Sequence, residues 1–132
     1  MRVLVADDQI KVRSALRVLL GQHLNWEVVG EIGEAERLFV QICDTQPDVV
    51  LLDWELPGLT YDGAFSDFRR QFPGTKIVAL SGRPEARRAA LELGVDAFVS
   101  KMDSPERLLD TLAALKQEIA RNGTQTPEER VS

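Results

Sequence analysis

A chain of 132 residues, 44% of them hydrophobic, is long enough to bury one core and too apolar to stay disordered. Its formal net charge of -5 and its single cysteine, Cys43, disfavour a DNA-binding surface, an internal disulfide and a cysteine-based zinc centre. The apolar run in "MRVLVADDQ" is too short for a signal peptide, and nothing approaches membrane-spanning length. The expectation is therefore a cytoplasmic protein with no membrane partner and no direct contact with DNA.

Two kinds of apolar pattern alternate along the chain. The run Val3–Ala6 predicts a first strand. Val12, Ala15, Leu16, Leu19 and Leu20 follow at helical spacing. Val28–Val29 predicts a second strand, and Ala35, Leu38, Phe39, Ile42 and Cys43 a second helix, with Cys43 in its buried stripe. Val49–Leu52 is the third strand and Gly63 to Phe72 the third helix. Ile77–Leu80 is the fourth strand, and a helix from Pro84 to Leu93 is stopped by Gly94. Ala97–Val99 is the fifth. Ser104 and Pro105 then make an N-cap and first-turn pair for a last helix with Leu108, Leu109, Leu112, Leu115 and Ile119 on one stripe. The polar end from Asn122 reads as a tail or the start of a linker. Domain boundaries are placed at 1–120 and 121–132.

Strands alternating with helices predict an α/β domain with a parallel sheet. Near-continuous apolar runs fit strands covered on both faces. Right-handed crossovers then bring every strand's C-terminal end to one edge, where such sheets bind ligands. The residues following the runs are Asp7 and Asp8, Asp53, Ser81, and Lys101. Singly, each has an ordinary role: a helix cap, a turn, a solvated lysine. Together they bring three carboxylates, a hydroxyl and an ammonium to one edge. Clustered carboxylates either raise a pKa or hold a cation. With no His or Cys beside them, oxygen ligands suit Mg²⁺. A metal and Lys101 would stabilise charge on a transferring phosphoryl group, Ser81 could donate to one of its oxygens, and Asp53 could act as nucleophile.

In order and spacing, "VLVADDQ", "VVLLDWELPG", "IVALSG" and "AFVSK" resemble the four signature segments of the response-regulator receiver domain of two-component signalling, from Met1 to about Ile119. The resemblance implies a flavodoxin-like, doubly wound five-stranded parallel sheet in the order 2-1-3-4-5 with five helices. It implies that Asp53 accepts a phosphoryl group from a phosphohistidine in a Mg²⁺-dependent reaction, Mn²⁺ serving as a substitute. Asp8, Asp53 and the Glu55 carbonyl would bind the metal directly, and Asp7 mainly through water. Ser81 and Lys101 would hold phosphoryl oxygens, and Ser81 and Phe98 would move together as a switch. The implied partners are a sensor histidine kinase or histidine phosphotransfer protein, an output domain or partner protein, and a second copy in a phosphorylation-dependent homodimer. Catalysis would be limited to self-phosphorylation and autodephosphorylation.

Three departures from the family pattern stand out. Leu56 replaces the usual Met, and "GLTYDG" after Pro57 is about two residues long for the family. Met102 follows Lys101 where a cis proline is common, an absence shared with some receivers attached to helix-turn-helix outputs. Trp54, Glu55 and Arg83 flank the acceptor and the hydroxyl, with Glu55 and Arg83 expected to face each other and tune phosphoryl lifetime. Two other readings were weighed. A phosphorylation-independent interaction receiver is disfavoured by the complete site. An aspartate-based phosphatase would want a second aspartate where Glu55 stands.

Overall fold

The computed structural model describes residues 1–59 and 64–123. In chain order the elements are β1 (Arg2–Ala6), α1 (Ile10–Gly21), β2 (Glu27–Ile32), a 3-10 turn (Ala35–Arg37), α2 (Leu38–Thr45), β3 (Val49–Asp53), α3 (Ala64–Gln71), β4 (Lys76–Ser81), α4 (Ala86–Leu93), β5 (Ala97–Ser100) and α5 (Pro105–Gly123). All strand pairs are parallel, and the sheet order is β2-β1-β3-β4-β5.

The apolar runs lack alternation because both faces of the sheet are covered. Successive side chains point to opposite faces of a strand. Leu4, Ala6, Val50, Leu52, Ile77 and Ala79 therefore pack on the side of α2, α3 and α4. Val3, Val5, Val49, Leu51, Val78 and Leu80 pack on the side of α1 and α5, against Leu16, Leu20, Leu108, Leu112 and Leu115. Every residue of β3 is buried. An edge strand is covered less completely, and β2 has only Ile32 buried. That is why its apolar signal, Val28–Val29, is shorter than the strand itself.

Local chemistry sets the ends of the elements. Gly94 ends α4 at φ +103°, and its N–H returns to Ala90 and Leu91. At that φ a Cβ would be strained, so glycine is the fitting residue. Gln46 ends α2 in the left-handed region at φ 47° without being glycine. In α5 Leu108, Leu112 and Leu115 are buried and Leu109 is half-buried, and the helix continues to Gly123.

One core assignment is corrected. Cys43 is exposed. It sits one turn beyond Phe39, itself 45% exposed, whereas Leu38 and Ile42 form the buried line of α2. The loop expected to be long lies mostly in residues 60–63, outside the described residues. No peptide among the described residues is cis, so the Lys101–Met102 bond is trans.

Candidate functional site

The C-terminal ends of β1, β3, β4 and β5 stand side by side. Asp7 N–H donates to the Ile32 carbonyl (2.9 Å), Trp54 N–H to Leu80 (2.8 Å), and Lys101 N–H to Ser81 (2.9 Å). This register brings Asp7, Asp8, Asp53, Ser81 and Lys101 to one edge, as the order of the apolar runs implies. Asp7, Asp53 and Ser81 are buried, and Asp8 is exposed. One carboxylate oxygen from each of Asp7, Asp8 and Asp53 lies within 4.8 Å of the others.

Lys101 reaches into this group. Its Nζ is 2.8 Å from Asp7 Oδ2 and 3.3 Å from Asp53 Oδ1. The remaining contacts position the carboxylates. Asp7 Oδ1 accepts the Gln9 N–H (2.8 Å), and Asp53 Oδ1 accepts the Glu55 N–H (3.0 Å). Arg13 Nη1 donates to the Asp7 carbonyl oxygen (2.6 Å). Asp7 Oδ2 is buried and its partner is the Lys101 ammonium at 2.8 Å, which it shares with Asp53.

Electrostatically the cluster is unbalanced: three carboxylates face one ammonium. Burial pushes the Asp53 carboxyl up from its ordinary value, the Glu55 amide pulls it down, the Asp7 charge raises it again, and Lys101 lowers it. The net direction is up. Burial by itself would lower the Lys101 ammonium, but the Asp7 and Asp53 carboxylates outweigh it and hold the group above the usual lysine range. A sheet edge with three clustered carboxylates and a single ammonium carries excess negative charge that fits a hard divalent cation. The donor set, all oxygen, suits Mg²⁺ or Mn²⁺ and gives no thiolate or imidazole for zinc.

The hydroxyl has a partner that the sequence did not suggest. Ser81 Oγ lies 2.8 and 2.9 Å from the two carboxylate oxygens of Glu55 and donates its one hydrogen there. It accepts the Arg83 N–H at 3.0 Å. Glu55 and Arg83 thus meet at Ser81, the one by its carboxylate and the other by its backbone. Their side chains line one cavity with Trp54, and the Glu55 carboxylate is engaged by the Ser81 hydroxyl. Trp54 is buried and packs edge-on to Phe65, ring centres 6.2 Å apart. Phe98 is buried in the core beneath α4. His23 stacks on Trp26 (4.3 Å) at the far end of α1, and Arg88 pairs with Glu92 on the exposed side of α4.

Sequence reasoning missed the Glu55–Ser81 bond and Arg13. The first joins residues 26 apart and appears only once β3 and β4 are in register. For Arg13 a signal was present: an arginine one turn into the helix that follows the acidic pair.

Residues 3–113 match the family described as the response regulator receiver domain. The chain is 33% identical over 113 residues to an uncharacterized transcriptional regulatory protein, YhcZ, of Bacillus subtilis, covering 84% of this chain and 53% of that protein. Its fold is similar to RcsB from Salmonella enterica serovar Typhimurium bound to promoter rprA with the phosphomimetic BeF3-. There the TM-score is 0.79 and the identity 29%, with 92% of this chain and 63% of that one covered. A DNA-binding response regulator of the LuxR family from Staphylococcus aureus superposes with a TM-score of 0.76 at 28% identity, covering 86% of this chain and 97% of the other.

The chain spans about half the length of the curated relatives it matches. These relatives overturn the expectation that DNA is not among the partners. They are transcriptional regulators, and similar structures include RcsB–DNA complexes. A balance of -5 describes these 132 residues and says nothing of the parts of such regulators that they do not match.

Proposed function

From a chain that belongs to the response regulator receiver domain family, we propose a Mg²⁺-dependent, phosphoryl-accepting switch of a cytoplasmic phosphorelay. Its acceptor is Asp53 and its donor a phosphohistidine. One observation carries the reading: Asp7, Asp8 and Asp53 each offer an oxygen within 4.8 Å of the others, with the single Lys101 ammonium between two of them. Asp7, Asp8, Asp53 and the Glu55 carbonyl are the residues that would hold the ion. When bound, it supplies positive charge against the phosphoryl oxygens.

The residues of the chain do the rest. Asp53 Oδ1 is occupied by the Glu55 amide and by Lys101, which leaves Oδ2 to attack phosphorus. An O–P bond forms as the donor's P–N bond breaks, and the bonding pair stays on the imidazole nitrogen. Lys101 shifts from pairing two carboxylates to pairing a phosphoryl oxygen, and Ser81 gives its hydrogen to another. Hydrolysis of the acyl phosphate returns the carboxylate. Movement of Ser81 and Phe98 transmits the event to an output domain or a partner protein, in a regulator of transcription like its relatives. In this reading residues 1–120 form the switch and 121–132 begin the connection. Trp54, Glu55 and Arg83 tune the lifetime, Glu55 by competing with the phosphoryl group for the Ser81 hydroxyl.

The test is incorporation of one phosphoryl group by intact mass, with a small phosphoramidate donor and Mg²⁺. The native chain gains the group, chelation prevents it, and Asp53→Asn abolishes it. A native chain that stays unmodified, or an Asp53→Asn chain that is modified equally, refutes the proposal.

A further inference from the structure

We propose that Arg13 is a positioning residue of the cation site, a role that rests on the Mg²⁺ reading above. Asp7 is fixed at almost every polar atom. Its N–H is held by the Ile32 carbonyl at 2.9 Å, and its Oδ1 by the Gln9 N–H at 2.8 Å. Its carbonyl oxygen is held by Arg13 Nη1 at 2.6 Å. Oδ2 is the one atom of Asp7 that faces the carboxylate cluster, against the Lys101 ammonium at 2.8 Å. Clamping the peptide on both sides determines where Oδ2 points, and Arg13 supplies the clamp on the carbonyl side.

Arg13 is itself held in place. It lies on the first turns of α1, its side chain 18% exposed, with Nε 3.5 Å from Glu31 Oε1 on β2. Glu31 also takes Arg17, through Nε at 2.7 Å and Nη2 at 2.5 Å. Gly33 leaves the space: a Cβ there would stand 3.1 Å from Arg13 Nη1. Neither a lysine nor a neutral side chain reproduces this. An ammonium is a single point donor, whereas the guanidinium can serve the carbonyl and Glu31 at once in a fixed plane. Groups behind the ligands of a metal commonly set its affinity by tenfold or more.

The sign of the effect separates positioning from plain charge. Arg13 is a cation beside a cation site, so by charge alone its removal would tighten Mg²⁺ binding. By positioning, its removal weakens binding because Asp7 Oδ2 is no longer aimed. The experiment titrates Mg²⁺ against Trp54 fluorescence in the native chain, Arg13→Met, Arg13→Lys and Glu31→Gln, each with its circular dichroism and melting curve.

The expected result is a Kd for Mg²⁺ raised about tenfold in Arg13→Met, less in Arg13→Lys, and two- to threefold in Glu31→Gln, with folded spectra throughout. If Arg13→Met does not fold, the other two variants carry the comparison, and native affinity in both overturns the proposal. Equal or tighter binding in a folded Arg13→Met overturns it too. A native chain that does not bind Mg²⁺ at all defeats the cation site itself, and with it this role. Native binding with an indifferent Arg13→Met defeats the role of Arg13 alone.

Discussion

The two edges of the sheet carry similar residues and use them in opposite ways. At the edge where the strands begin, Asp48 and Asp96 each close a backbone group. Asp48 Oδ2 accepts the Arg2 N–H (2.8 Å), and Asp96 Oδ2 accepts the Ile77 N–H (2.7 Å). Arg69 ties the edge together through Asp96 (2.5 Å), the Gly94 carbonyl (2.7 Å) and the Thr75 carbonyl (2.9 Å). Lys76 adds Asp96 and Glu118, both at 3.9 Å. At the edge where the strands end, three clustered carboxylates have one lysine, which reaches two of them, and negative charge is left in excess. One edge is complete in itself. The other is complete only with something added. Removing one partner of a paired, desolvated charge costs stability because the other is left uncompensated, whereas removing a charge in excess relieves the fold.

The contrast can be broken most forcefully at the first edge. Asp96→Ala strands the Ile77 amide and the Arg69 guanidinium together. A loss of about 2–3 kcal/mol is expected in urea unfolding, the low end for a buried network because both side chains are about a fifth exposed. A loss below about 0.5 kcal/mol would mean that the edge is no better satisfied than a solvated surface.

At the opposite edge the same kind of change has the opposite sign. Asp53→Asn is expected to raise the melting temperature at pH 7 by a few degrees, the shift that about 1 kcal/mol gives in a domain of this size. The Asp53 carboxyl is raised by burial. Between its unfolded and folded pKa the native state holds more protons than the unfolded one. Stability therefore falls as pH rises through that window, and Asp53 is least favourable once fully ionised above it. The gain from Asn should accordingly shrink as pH drops below the ordinary carboxylate range. Mg²⁺ should close the gap from the other side, stabilising the native chain more than the variant. A destabilised Asp53→Asn, or a difference that does not depend on pH, would contradict the account of this edge.

The smallest effect belongs to Glu55, an additional negative charge spent on the Ser81 hydroxyl. In Glu55→Ala, phosphorylation by a small donor is expected to quicken about two- to fivefold, a change of roughly 0.5–1 kcal/mol in the barrier. Glu55→Gln, which keeps an acceptor without the charge, should fall between. Rates identical in all three chains would remove Glu55 from the list of tuning residues.

The sheet was legible because burial on both faces writes itself into sequence as unbroken apolar runs, and five such runs cannot be helices of an ordinary length. The ends of those runs located Asp7, Asp8, Asp53, Ser81 and Lys101, since strand ends need no knowledge of side-chain direction. What side chains do at that edge was less legible. Glu55 finds Ser81 instead of the Arg83 side chain because the 53–55 turn folds its N–H onto Asp53 and sends the carboxylate toward β4. Cys43 and Ile42 are adjacent in sequence yet fall on different lines of α2, a distinction of 100° that a short helix pattern does not resolve. The DNA partners of the relatives were invisible for a simpler reason: net charge over these 132 residues carries no trace of them.

Helix α5 has a consequence for any regulator built on this fold. It starts at Pro105, beside the site, and Glu118 pairs with Lys76 at the first residue of β4. Its 19 residues span roughly 28 Å at 1.5 Å each. Whatever is joined after it is thus tethered at the pole opposite Asp53, beyond the reach of any single side chain. An attached unit can sense the acceptor only by folding back along the flank of the domain or by feeling strain passed down the helix. Lengthening the tether by inserted flexible residues would uncouple the second route and leave the first intact.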